Sequence, residues 1–111
     1  MSTKPDSISK IESARGRFEL KGRLLSSLRG FFESESFLEV NTPVRIKAPA
    51  PEEFIEAISS EDHFLRTSPE LEMKRMLAAG FEKIYQIGPC FRSGEFGRNH
   101  RTEFLMLEYY Q

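Results

Sequence analysis

Arg92, Arg98, His100 and Arg101 crowd into one short stretch, with Glu95 among them and Glu103 just beyond. On a chain of net charge −1 this is a local cationic patch. Guanidinium forks take phosphate oxygens two at a time, so the cluster suits a polyanion such as a nucleoside triphosphate. A few residues on, Phe104, Met106, Glu108 and Tyr110 alternate with Glu103, Leu105, Leu107 and Tyr109. In a strand the first four share one side, which places the Glu108 carboxylate in an apolar row. Such a carboxylate is costly unless something cationic meets it. Two readings follow: Glu108 pairs with a structural Lys or Arg or lies on an exposed edge, or it receives a ligand ammonium beside the flat face of Phe104. Glu70 is the third candidate, either a helix-dipole partner or a second carboxylate for the same ligand.

The elements that must position these groups are legible in outline. Ile84 to Phe91 reads as one strand and Phe104 to Tyr110 as another, with Gly94 and Gly97 bending the loop between them. Thr67-Ser68-Pro69-Glu70 opens a helix, with Ser68 as N-cap and Pro69 at the first position, and Gly80 stops it. From Ala14 to about Glu33, Phe18, Leu24, Leu25, Leu28, Phe31 and Phe32 fall largely on one helical stripe, as a core-packing helix requires. Phe37 to Val40 is a short strand ended by Pro43. Residues 1–13 are polar and read as a loose lead-in, with 14–111 as the folded part. Arg45 to Asp62 is the least informative stretch. Ala48-Pro49-Ala50-Pro51 reads as an extended connector, Phe54, Ile55, Ala57 and Ile58 as a short strand, and the acidic run Glu52, Glu53, Glu56, Glu61, Asp62 as a solvated face. His63 to Arg66 reads as one more strand. The expected class is α+β.

Composition narrows the field. With 111 residues the chain is one small domain at most, and its 39% apolar and 12% aromatic content fits a folded protein. Sixteen basic against 17 acidic residues give no sign of broad nucleic-acid or membrane-surface binding. The lone cysteine, Cys90, fits a reducing compartment, and with no apolar leader the expected location is the cytoplasm. His63 is an isolated imidazole with no Cys or His at ligand spacing, so no metal site is expected.

Phe91-Arg92, then Gly97-Arg98-Asn99-His100, then Glu103-Phe104-Leu105-Met106-Leu107-Glu108 resembles the second signature motif of class II aminoacyl-tRNA synthetases, in the lysyl branch. Phe37-Leu38-Glu39-Val40-Asn41-Thr42-Pro43 resembles the first motif, and Thr67-Ser68-Pro69-Glu70 with Met73-Lys74-Arg75 fits the short paralogue that attaches β-lysine to elongation factor P. The resemblance runs from about Arg17 to the end. It implies part of the class II antiparallel sheet with flanking helices, and ATP-dependent activation of lysine or β-lysine with Mg²⁺. The acceptor would be elongation factor P or tRNA, and a homodimer would form through the segment at Pro43. It assigns the ATP α-phosphate to Arg92, the outer phosphates to His100 and Arg98, and adenine stacking to Phe104. Glu95 would read the adenine amino group, Glu103 would help organise nucleotide or Mg²⁺, and Glu70, Glu108 and Tyr110 would line the amino-acid pocket. Arg92-Ser93-Gly94-Glu95 sets its acid one place later than the family's usual Arg-any-Glu, and Arg101 stands where an amide is usual. A third motif with an arginine that clamps the γ-phosphate, and a later strand with acidic Mg²⁺ ligands, would lie beyond Gln111. A non-catalytic nucleotide-binding or dimerisation module is the alternative.

Overall fold

A computed structural model describes residues 5–94 and 102–111. Two compact units divide between Ser36 and Phe37. The first holds helices α1 (Asp6–Ser13) and α2 (Arg15–Ser34). The expected loose lead-in is therefore helical from Asp6 onward, with Asp6 and Lys10 paired one turn apart at 3.6 Å. The core-packing reading of α2 is corrected. Only Phe32 is buried on it, while Phe18, Leu24 and Phe31 stand more than half exposed. The apolar stripe is present, but among the described residues only part of it is covered: Leu25 and Leu28 are half-buried beside buried Phe32.

Among its described residues the second unit contains two three-stranded sheets, one α-helix and a short 3-10 helix. Strand β1 (Leu38–Glu39) pairs in parallel with β5 (Ile84–Phe91), and β5 pairs antiparallel with β6 (Glu103–Tyr110), giving the order β1-β5-β6. The expected class is observed, with one parallel pairing added to the expected antiparallel sheet. The smaller sheet, β2 (Arg45–Ile46), β4 (His63–Leu65) and β3 (Ile58–Ser60), is antiparallel throughout. β2 was not expected. The strand anticipated at Phe54–Ile58 is instead a 3-10 helix over Pro51–Glu56, followed by β3. Pro51 at its N-terminus supplies a preset φ without needing a donor, which favours the helical turn over a strand start.

Helix α3 (Glu70–Ala78) begins one residue later than the Thr-Ser-Pro-Glu pattern suggests: Pro69 is its N-cap, with no side-chain capping bond. The Ser68 hydroxyl, one residue further out, accepts the Glu70 N–H at 3.3 Å. At the other end the Gly80 N–H donates to Leu77 and the Phe81 N–H to Met76, a Schellman closure that needs the left-handed φ of +107° at Gly80. Met73, Met76 and Leu77, on one face of α3, pack with Val40, Ile84 and Tyr110. That core sets the helix over the face of β5 and β6 carrying the even-numbered residues, and Glu70 lies one turn N-terminal of Met73.

Pro89 sits inside β5, where a ladder donor is missing. Past the end of short β1, Arg66 takes over that edge: its Nε donates to the Pro89 carbonyl at 2.9 Å, and its own carbonyl accepts the Phe91 N–H at 2.8 Å. The proline falls at a position whose strand edge is served by a side chain, so no donor is needed there.

Candidate functional site

Directly opposed residues of an antiparallel pair project to the same face. Ile84 faces Tyr110, Gln86 faces Glu108, Gly88 faces Met106 and Cys90 faces Phe104. One face of the hairpin therefore presents Phe104, Met106, Glu108 and Tyr110 in a row, all half-buried, while Glu103, Leu105, Leu107 and Tyr109 are exposed on the other. The alternation expected for the strand is observed in full.

At one end of the row the Arg92 guanidinium lies 5.2 Å from the centre of the Phe104 ring, a cation–π arrangement. The Arg92 backbone N–H donates to Thr102 at 3.0 Å, closing the base of the loop that leaves β5. Four residues along β6, a span of about 13 Å, the Tyr110 hydroxyl donates to Glu108 Oε2 at 3.0 Å. Burial pushes the Glu108 carboxyl above its ordinary value; the Tyr110 bond opposes this, and the Glu70 and Glu53 carboxylates add to the rise. Burial, then the Glu108 bond, lift the Tyr110 phenol far above the ordinary phenol range, so it remains a hydrogen-bond donor. Glu108 is half-buried on β6, at the edge of the described sheet, with the Tyr110 hydroxyl as its hydrogen-bond partner and Lys74 acting on it more weakly.

Glu70 reaches the same acidic region from above. Its Oε1 accepts Lys74 Nζ at 2.6 Å, and this bond raises the Lys74 pKa, with Glu108 and Glu52 contributing more weakly. Glu70, Glu108 and Tyr110 are thus brought into one electrostatic neighbourhood. Arg92 and Phe104 meet at the other end of the row. Glu103 opens β6 opposite Phe91 on the exposed face, away from that row. Glu95, Arg98 and His100 lie outside the described residues. Pro43, exposed, lines a cavity of about 570 Å³ with Arg45, Lys47, His63, Glu72 and Arg75. The basic groups there are largely matched: Arg45 meets Glu61 and Asp62, His63 meets Asp62 at 2.6 Å, and Arg75 meets Glu72. The His63 bond holds the Asp62 carboxyl below its ordinary range. Among the described residues no group of three or more His, Cys, Asp or Glu is arranged to hold a metal ion.

Several contributors were not anticipated. Glu53, assigned to a solvated acidic face, instead accepts the hydroxyl of buried Thr67 at 2.5 Å and acts on Glu108. Glu56, in the same run, lies 3.9 Å from Arg92 Nε. Arg66 is 2% exposed and donates through one terminal nitrogen to the Thr42 carbonyl and hydroxyl at 3.1 and 3.2 Å. Gln86, equally buried, accepts the Thr42 N–H and hydroxyl. These bonds tie the Asn-Thr-Pro turn to β5 beneath the row. A charged residue in an otherwise ordinary short strand gives no signal of such a role; the pairing is long-range and appears only in three dimensions.

The family described as tRNA synthetases class II (D, K and N) matches residues 8–111. A lysine–tRNA ligase of Mesomycoplasma hyopneumoniae is 39% identical over 105 residues, covering 90% of this chain and 21% of the relative. One from Coxiella burnetii is 36% identical over the same shares. An elongation factor P–(R)-β-lysine ligase of Proteus mirabilis is 42% identical over 101 residues, covering 82% of this chain and 31% of the relative. The chain thus spans about a fifth to a third of the length of these curated relatives. With a match over nearly its whole length, the chain belongs to the class II tRNA synthetases of the D, K and N group.

Proposed function

We propose that residues 14–111 form the amino-acid and adenine half of a site that joins lysine or β-lysine to AMP. The observation carrying this reading is the division of one strand face. Glu70, Glu108 and Tyr110 cluster at one end, and Arg92 over Phe104 stands at the other. Carboxylates recognise ammonium groups, and a substrate with two of them matches Glu70 and Glu108. Adenine stacks on Phe104, and Arg92 receives the α-phosphate.

The chemistry asks little covalent work of the protein. A carboxylate oxygen of the amino acid attacks the α-phosphorus, the bond to the β-phosphate oxygen breaks, and pyrophosphate departs with the electron pair. Arg92 balances charge on the α-phosphoryl oxygens as the bond order shifts. Glu70 and Glu108 hold the amino groups so that the carboxylate points along the line of attack. The acceptor nucleophile, a lysine of elongation factor P or a tRNA hydroxyl, then attacks the acyl carbon and releases AMP. Mg²⁺ would accompany ATP and neutralise charge on its phosphates, with Glu103 the described residue that would help to organise it. Arg98 and His100 take the outer phosphates, Glu95 the adenine amino group, and Glu103 helps organise the nucleotide or its Mg²⁺. The single cysteine fits work in a reducing cytoplasm, and no described helix is long and apolar enough to cross a membrane. The uncovered stripe of α2, with Phe18, Leu24 and Phe31 exposed, supports a homodimer built on the first-motif segment that ends at Pro43.

Calorimetric titration of the chain with a non-hydrolysable lysyl-adenylate analogue tests the half-site. Binding in the micromolar range, weakened about 10- to 100-fold in both Glu108→Gln and Arg92→Ala, is expected. Binding that survives both substitutions unchanged sinks the assignment. Pyrophosphate exchange with lysine or β-lysine, followed by transfer assays with elongation factor P and with total tRNA, separates the substrates and acceptors. The non-catalytic alternative predicts a sedimenting dimer with no response to the analogue.

A further inference from the structure

A guanidinium has two hydrogen-bonding edges, one through Nε and one through the terminal nitrogens. On Arg92 they stand in different surroundings. The side chain as a whole is 41% exposed, yet its Nε is buried and has no hydrogen-bond partner among the described residues. The nearest acceptor is Glu56 Oε2 at 3.9 Å, close enough for charge attraction but too long for a hydrogen bond. A buried donor left unmade is costly, and here a carboxylate waits about an ångström short of satisfying it.

The backbone holds the two residues in this relation. The Ser93 N–H donates to the Glu56 carbonyl at 2.8 Å, which fastens the end of the 3-10 helix to the residue after Arg92. In a 3-10 helix, side chains three apart eclipse one another, so Glu53 and Glu56 project on one side. Glu53 grips Thr67 beside the carboxylate end of the site, and Glu56 faces Arg92 at the other. The short helix therefore acts on Glu108 through the charge of Glu53 and faces Arg92 through Glu56.

We infer that Glu56 is a positioning residue for Arg92: it takes the Nε edge of the guanidinium, so that the terminal fork is aimed at the nucleotide phosphate. The inference rests on Arg92 being the phosphate-binding residue of the proposed half-site. Without Glu56 the guanidinium keeps its stacking contact with Phe104 but is free to rotate about it, and the fork loses its direction. Glu56 thereby contributes to nucleotide binding although its own charge is of the wrong sign to touch phosphate. Orientation outweighs repulsion because the carboxylate sits on the edge away from the ligand.

The test uses the full chain, with ATP as the probe, in wild type, Glu56→Gln and Glu56→Asp. ATP affinity is followed by calorimetry and the Arg92 Nε–H resonance by NMR. Glu56→Gln is expected to weaken ATP roughly five- to tenfold and to speed exchange of that proton. Glu56→Asp, which keeps the charge, is expected to restore part of both, as a merely structural role would not. Unchanged ATP affinity in Glu56→Gln overturns the inference. Tighter binding overturns it as well, since Glu56 would then be a competitor for Arg92. If wild type fails to take ATP while Glu56→Gln still frees the Nε–H, the half-site reading falls and the positioning of Arg92 stands. If neither ATP nor the proton responds, both fall.

Discussion

The Tyr110 hydroxyl donates to Glu108 across 3.0 Å, from a position two residues along the same strand face. This bond stabilises the carboxylate, and burial works against it with the larger effect. The net direction sets how stability depends on pH. A carboxyl raised in the folded state contributes stability that is complete below its unfolded value of 4.5 and is lost as pH rises through the folded value. At neutral pH the ionised Glu108 is therefore a cost to folding. Glu108→Gln, which still accepts the tyrosine bond, is expected to melt roughly 2 °C higher than wild type at pH 7, a small effect because the group is only half-buried. The gap should close below pH 4.5. Thermal melts across pH check this, and a variant less stable than wild type at pH 7 contradicts it.

Tyr110→Phe removes the donor and leaves the carboxylate less satisfied. A loss of about 1 kcal/mol at neutral pH is expected. The Glu108 pKa should rise further, as read by NMR titration of its side-chain carbon.

Glu53 gives a prediction on recognition. It is held by the Thr67 hydroxyl and adds negative potential at Glu108. Glu53→Gln should weaken a lysyl-adenylate analogue by about three- to tenfold, with less effect on an analogue whose side-chain ammonium is replaced by methyl. Equal losses for both analogues would mean that Glu53 supports the fold and does not contribute to charge recognition.

Gly88 lies under the buried guanidinium of Arg66. A Cβ there would stand 2.5 Å from its terminal nitrogen. The obstacle is the end of a flexible side chain, but this one is pinned by bonds to Pro89 and Thr42, so yielding breaks them. Gly88→Ala is expected to cost about 1–3 kcal/mol in denaturant unfolding. A smaller loss would show that Arg66 finds another seat.

Cys90 is fully buried on the same face, opposite Phe104. Burial raises its thiol pKa against the opposing influence of Arg66. Slow labelling by an aromatic disulfide reagent is expected in the native chain, with fast labelling in denaturant. Gly88→Ala should accelerate the native reaction by loosening Arg66. Native labelling as fast as in denaturant would contradict the buried placement.

Local chemistry made much of this protein readable from residue order. The period-two run from Glu103 to Tyr110 needs only the pleat of a strand to divide its side chains, and the observed burial follows it. The start and stop of α3 rest on Ser68, Pro69 and Gly80, each acting within one turn. The amphipathic stripe of α2 was equally visible, but its periodicity says only that an apolar face exists and not what covers it. Glu53 and Glu56 show where local reading stops. In sequence they belong to a polar run with the composition of a solvated face. Their roles come from the 3-10 turn that aligns them and from Thr67 and Ser93, far along the chain, that meet them. Arg66 is the clearest case: a charge in a short strand becomes buried because Thr42 and Pro89 place acceptors around it and Gly88 leaves room. Turns, caps and strand faces depend on neighbours in the chain, whereas hydrogen-bond partners and electrostatic neighbourhoods depend on contacts that only the tertiary structure decides.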